Sequence, residues 1–170
     1  MIHLRTITPE TASIFKAVRL RALRDAPQAF SSTYAKESQL SDEEWIKRSE
    51  RWYGNGAIGF LAMEEPGNGE ACGLVACYAE DSEGVLRGHV ISMWVDPAFR
   101  RAGVGRMLID ALMNWAESRG LRELNLMVTS VNRGAIEFYE RIGFRMSGKT
   151  GPYPNDPAII EYEMLLPFGH

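Results

Sequence analysis

The sequence predicts a mixed α/β sheet, and three observations carry that expectation. Short apolar or alternating runs recur between stretches whose apolar residues fall at helical spacing. One run, His89-Val90-Ile91-Ser92-Met93-Trp94-Val95, is nearly all apolar on both faces, as a central strand is. Asp96-Pro97 halts it, a glycine-bearing bend follows, and a helical pattern begins with Val104, Met107, Leu108, Ala111, Leu112 and Trp115. The 170 residues read as one domain, 1–170, long enough to bury roughly two thirds of the unfolded surface.

Ile2 to Thr6 reads as the first strand. Thr8-Pro9-Glu10-Thr11 supplies an N-cap, a proline at the first helical position and early negative charge. The helix carries Ile14, Phe15, Val18, Leu20 and Leu23, and Asp25-Ala26-Pro27 ends it. A polar stretch from Ser31 to Gln39 follows. Ser41-Asp42-Glu43-Glu44 is a capping box for a second helix through Trp45, Ile46 and Trp52. Ala57 to Glu64 and Ala71 to Ala79 read as the second and third strands, parted by the turn Glu65-Pro66-Gly67-Asn68-Gly69.

Leu86 to Val95 is the fourth strand. The helix from Gly103 to Arg119 stops at Gly120, a natural left-handed cap. Glu123 to Val128 is the fifth strand, and Asn132 caps a helix holding Ala135, Ile136, Tyr139 and Ile142 that closes at Gly143. Phe144 to Lys149 and Ile159 to Leu166 complete the sheet. Gly151-Pro152-Tyr153-Pro154-Asn155-Asp156-Pro157 reads as a rigid loop that either connects or forms a lip of a pocket, with Tyr153 the residue to touch a ligand.

Composition narrows the function. Apolar residues at 45% and charged residues at 24% are ordinary for a globular chain, and a net charge of −3 gives no reason to expect nucleic acid. Cys72 and Cys77, five apart on one strand, are expected on opposite faces and unbridged. No cysteine or histidine grouping suggests a metal. The start lacks a signal-peptide pattern and no apolar run reaches membrane length, so no membrane role and a cytoplasmic place are expected.

The chemistry concentrates at Arg100-Arg101-Ala102-Gly103-Val104-Gly105-Arg106. A strand, a glycine turn and a helix start leave unpaired N–H groups facing one point. Gly103 and Gly105 permit close approach, and Arg100, Arg101 and Arg106 add charge, so a phosphate or pyrophosphate is expected there. A P-loop string is absent, and the third glycine of a dinucleotide fingerprint is missing after Gly105. Gly54-Asn55-Gly56-Ala57-Ile58-Gly59 matches that fingerprint literally, but it comes after a helix and leads into a strand, the wrong context.

Arg100-x-x-Gly103-x-Gly105 resembles the [Q/R]-x-x-G-x-[G/A] signature of the GNAT superfamily of acyl-CoA-dependent N-acetyltransferases. Met93-Trp94-Val95-Asp96-Pro97 before it, and Asn132-Arg133-Gly134-Ala135, Phe138-Tyr139 and Ile142-Gly143-Phe144 after it, are similar to the family's cofactor half in order and spacing. The resemblance implies a mixed, largely antiparallel sheet flanked by helices and splayed between the fourth and fifth strands. It implies acetyl-CoA as co-substrate, its diphosphate at Arg100 to Arg106, its pantetheine arm along Met93, Trp94 and Val95, and Asn132 at the cofactor or acceptor. It further implies direct transfer to a primary amine in a ternary complex, with Tyr139 as the acid at sulfur.

The base is less well marked. The family commonly has a glutamate six residues before the last apolar strand residue; here that position is His89, whose neutral imidazole can take a proton. Glu37 in the polar stretch is a rival, Glu161 and Glu163 are further candidates, and transfer with no dedicated base also fits. The acceptor is a small amine or a peptide, and a homodimer through the C-terminal strands is compatible with the resemblance. A silent acyl-CoA sensor and an acetylase of protein termini or lysines are the alternatives to a small-amine enzyme.

Overall fold

The computed structural model describes residues 1–169. Strands β1 (Ile2–Thr6), β2 (Tyr53–Gly54), β3 (Ala57–Glu64), β4 (Ala71–Ser82), β5 (Val85–Val95), β6 (Glu123–Thr129), β7 (Arg145–Tyr153) and β8 (Asp156–Pro167) form one sheet. Their order is β1-β3-β4-β5-β6-β8-β7, with β2 paired to β3. Every pairing is antiparallel except β5 with β6. The helices are α1 (Ala12–Asp25), α2 (Tyr34–Glu37), α3 (Asp42–Arg51), α4 (Val104–Ser118) and α5 (Arg133–Ile142). A mixed, largely antiparallel sheet flanked by helices is therefore the observed fold. Among the described residues no helix is long and apolar enough to cross a membrane.

Local chemistry explains most boundaries. Ser41 Oγ accepts from the Glu44 amide at 3.2 Å while Glu44 Oε2 accepts from the Ser41 amide at 2.8 Å, closing the capping box of α3. Asn132 Oδ1 accepts from the Ala135 amide at 3.2 Å and starts α5. Gly120, at φ +74°, lets the chain leave α4 in the left-handed region. Thr8 opens a 3₁₀ turn, Pro9–Thr11, and α1 proper begins at Ala12.

Two cores sandwich the sheet. Phe15 and Val18 of α1, with Trp45 of α3, pack on one face against Leu61, Leu74 and Trp94. Val104, Leu108 and Leu112 of α4, with Tyr139 of α5, pack on the other against Val75, Val90, Leu126 and Met164.

The sheet splits in its middle. β5 and β6 pair only over Arg87–His89 and Glu123–Asn125, and beyond that point they diverge. A bulge accompanies the divergence: Leu74 faces Trp94 but Ala76 faces Ile91, so Ser92 and Met93 together oppose Val75. Ser92 takes φ +60°, unusual for a residue with a side chain. The extra residue reverses the facing of the strand's last residues and puts Trp94 on the α1 side of the sheet. The splay expected between the fourth and fifth predicted strands is thus present as the β5/β6 gap, the numbers shifted by the two-residue β2.

Three expectations are corrected. Residues 151–157 are no rigid loop: Tyr153 pairs with Asp156, so β7 and β8 form a tight hairpin turning at Pro154-Asn155. The polar stretch after α1 contains α2, whose Glu37 is buried. Cys72 and Cys77 are unbridged, but they pack into the same core cluster, because Cys72 is the extra residue of a bulge between β3 and β4 that reverses the alternation. Burial pushes the Cys77 thiol up to about 12, which leaves it an inert apolar filler.

Candidate functional site

The gap between β5 and β6 opens a cavity of about 250 Å³. Its walls are β5 from His89 to Met93 and β6 from Leu126 to Thr129; α5 contributes Tyr139, and the segment after α1 and the hairpin tip cover it from the other side. Tyr153 Oη donates toward the carbonyls of Phe30 and Pro27, 2.6 and 2.9 Å away, and Asn155 Nδ2 donates to the Phe30 carbonyl at 3.2 Å. Tyr153 is therefore a buried strap between the hairpin and residues 27–30 and does not present its hydroxyl to a ligand.

Of the expected acid and base groups, Tyr139, His89 and Glu161 line the cavity. Tyr139 is 8% exposed, stacked edge-on to Phe138 and Phe144, and burial holds its phenol well above the ordinary value. It therefore stays protonated and remains a hydrogen-bond donor. His89 Nδ1 lies 3.1 Å from Asn125 Oδ1. An amide oxygen only accepts, so Nδ1 carries a hydrogen, and in the neutral ring Nε2 is then the nitrogen with the lone pair, the tautomer a base needs.

Glu37 does not join them. Its carboxylate is 1% exposed and is gripped by Arg19, Nε to Oε1 at 3.0 Å and Nη2 to Oε2 at 2.9 Å, while Arg48 Nη1 approaches Oε1 at 3.1 Å. Burial alone would raise its pKa, but the hydrogen bonds and charge of Arg19, helped by Arg48, bring it below the usual value. A carboxylate so paired is a poor proton acceptor, and the expectation of Glu37 as base is corrected to a structural ion pair. Arg19, which drew no notice in the sequence, also donates from Nη1 to Ser92 Oγ at 2.7 Å and so ties α1 to the bulge. Only its pairing across 73 residues marks it, which no local pattern discloses. Glu161 of β8 lines the cavity, and burial raises its carboxyl.

The arginine-rich bend divides its labour. Arg100 points back: Nε donates to the Val95 carbonyl at 2.9 Å and Nη2 to Asp25 Oδ2 at 2.7 Å, where the buried Trp94 also donates from Nε1 at 2.9 Å. Arg106 pairs with Asp110 one turn on. Arg101, at φ +66°, has no side-chain partner among the described residues. Gly103, at φ +84°, caps α4 without a side chain, and a Cβ there would meet open space. Val104, Gly105 and Arg106 form the uncapped first turn, the first bond of which runs from Met107 N to the Gly103 carbonyl at 3.0 Å.

Gly105 is small for a different reason than ligand approach. A Cβ there would lie 2.8 Å from Phe138 Cζ and 3.3 Å from Met93 Cε. Its bareness lets the start of α4 close on α5.

These features suit a long anionic thioester carrier. An uncapped helix turn beside a free arginine fits a diphosphate, an unpaired strand edge fits an amide-bearing arm, and Thr129 of the cavity lining has a buried Oγ1 without a hydrogen-bond partner.

Residues 20–144 match the Acetyltransferase (GNAT) family. Over 146 residues the chain is 32% identical to an uncharacterized N-acetyltransferase of Methanocaldococcus jannaschii, covering 79% of this chain and 64% of that protein. Over another 146 it is 31% identical to a mycothiol acetyltransferase of Thermobispora bispora, covering 84% of this chain and 46% of that protein. The chain thus spans less than two thirds of the length of either relative. In fold it is similar to a GNAT-family acetyltransferase from Streptococcus pneumoniae, with a TM-score of 0.79, 23% identity and coverage of 99% and 100%. It is likewise similar to a PaiA N-acetyltransferase from Thermoplasma acidophilum solved with coenzyme A, with a TM-score of 0.76, 15% identity and 99% coverage of both chains.

Proposed function

The chain belongs to the GNAT acetyltransferase family, and from that premise we propose that it transfers an acetyl group from acetyl-CoA directly to a primary amine bound beside it. The observation that carries this reading is the unpaired β5 edge beyond His89, which opens onto a cavity lined by both the His89 imidazole and the Tyr139 phenol, which burial keeps protonated. Acetyl-CoA supplies an activated acyl carbon as its thioester.

The chain's own residues do the rest. The amides of Val104, Gly105 and Arg106, with the Arg101 guanidinium, bind the diphosphate. Met93 and Trp94 offer backbone groups to the arm, whereas the Val95 carbonyl is already held by Arg100. Asn132 spends Oδ1 on the α5 cap and keeps its Nδ2 hydrogens for a ligand. His89 Nε2 takes one proton from the acceptor ammonium and releases it to solvent. As the amine nitrogen bonds to the acyl carbon and the C–S bond breaks, Tyr139 Oη hydrogen-bonds the leaving sulfur, and the second proton, shed by nitrogen as the amide forms, ends on that sulfur to give the free thiol. A proton-transfer group placed in this way contributes about 10²–10⁴ in rate.

The test is thiol release from acetyl-CoA with a panel of amines, for the parent and for His89→Ala. Turnover by the parent, with the variant losing the low-pH limb of kcat/KM, supports the reading. Saturable binding of acetyl-CoA without turnover of any amine would replace it with an acyl-CoA sensor.

A further inference from the structure

The cavity holds a negative charge that the proposed chemistry leaves unused. Two formally charged side chains line it, Arg19 and Glu161, beside the titratable His89. Arg19 is matched by Glu37, and its remaining nitrogen is occupied by Ser92. Glu161 has no basic group within ion-pair distance among the described residues. Burial already holds its carboxyl above the ordinary range, the sign of a charge lacking a counter-ion. Its cross-strand partner in the β6/β8 register is Thr129, whose buried Oγ1 also lacks a partner. Paired residues share a face of the sheet, so a carboxylate and a hydroxyl stand side by side at one wall, both able to accept and neither supplied with a donor.

The reacting amine is the wrong donor. It attacks only after shedding a proton, and an adjacent carboxylate would hold it protonated. The site is also displaced from the base. His89 pairs with Asn125, and Thr129 lies four residues further along β6, so the two rows stand ~13 Å apart before side chains reach inward. Resting on the acetyl-transfer reading above, we infer that Glu161 and Thr129 form a subsite for a second cationic group of the acceptor, which makes the preferred acceptors diamines or polyamines with nitrogens on the order of 10 Å apart. One ammonium binds the Glu161 carboxylate, with Thr129 beside it on the same face of the sheet; the other end presents its amine to His89. Glu163, two residues along the same face of β8, adds to the attraction.

The test compares hexamethylenediamine with aminohexanol, which differ only in replacing one ammonium by a hydroxyl. KM and kcat are measured with acetyl-CoA for the parent and for Glu161→Gln, and hexamethylenediamine is titrated calorimetrically into each protein with coenzyme A present. The expected result is a parent KM ~10- to 100-fold lower for the diamine, the range of a hydrogen bond to a charged group. Glu161→Gln should raise the diamine KM toward that of aminohexanol. Equal KM values in the parent overturn the inference. So does a variant that lowers kcat on both amines and leaves their KM ratio intact, which would make Glu161 the base. If neither amine is acetylated, the acetyl-transfer reading fails for these acceptors, and calorimetry still decides the subsite. Heat that is lost in Glu161→Gln upholds it, and absent or undiminished heat rejects it.

Discussion

Replacing Glu37 by Gln removes the charge that joins three helices to the strand bulge. Glu37 is 1% exposed and Arg19 12%, so the variant leaves a nearly buried guanidinium without its carboxylate. Breaking a buried pair in this way costs about 3–5 kcal/mol. Arg48 is 42% exposed, so its share is discounted to ~0.5 kcal/mol or less. Because the amide oxygen still accepts one hydrogen bond, the lower end applies: about 3 kcal/mol, or a melting temperature lower by roughly 6–12 °C.

The pH dependence has a definite sign. The folded pKa of Glu37 lies below its unfolded value, so its stabilisation is fully present above the unfolded value, about 4.3, and is lost as pH falls through the folded one. Thermal unfolding followed by circular dichroism at pH 7 and at successively lower pH therefore shows the parent and variant curves converging in acid. Equal melting temperatures at pH 7, or a gap that persists in acid, would refute the reasoning. Glu37→Gln should also keep the low-pH limb of kcat/KM; its disappearance would restore Glu37 as a base.

The other predictions concern the ligand groups. Tyr139→Phe should lower kcat by about 10²-fold or more and leave coenzyme A affinity unchanged, as read by steady-state kinetics and calorimetry. Because burial raises its pKa, Tyr139 should contribute no alkaline limb to the rate profile below pH 9, checked by comparing parent and variant profiles. Arg101→Glu should weaken coenzyme A binding by ~10-fold or more, whereas Arg106→Gln, removing a side chain already paired with Asp110, should do less; calorimetry ranks them. Gly105→Ala should push α4 off Phe138 and cost about 1–3 kcal/mol in urea unfolding.

Much of this fold was legible because its signals are local. The first strand, the capping box at Ser41 and Glu44, the cap at Asn132 and the left-handed exit at Gly120 each depend on residues within a few positions of one another. Both bulges were hidden, since one extra residue in a strand leaves the apolar pattern almost unchanged while reversing every side chain beyond it. That single slip explains why Cys72 and Cys77 share a core when alternation separates them.

In the candidate site, Tyr139, His89 and Asn132 were found through the family's spacing, and all three line the cavity. The arginines were read as one cluster because sequence gives their charge and not their direction. Arg100 turns back to Asp25 and Arg106 to Asp110, so Arg101 alone is left with an unpartnered guanidinium among the described residues of the bend. Arg19 was invisible because both of its partners are distant in sequence, at Glu37 and Ser92. For Tyr153 the sequence leaves connector and ligand contact both open, because the strap to the Phe30 carbonyl that decides between them spans 123 residues.

Hydrogen exchange followed by mass spectrometry, with and without coenzyme A, tests the central claim most directly. Slowed exchange should cover Val90 to Val95 and Ala102 to Arg106, because the arm completes the open β5 edge and the diphosphate takes the free amides of α4. Binding that slows exchange elsewhere and leaves both segments unprotected would contradict it.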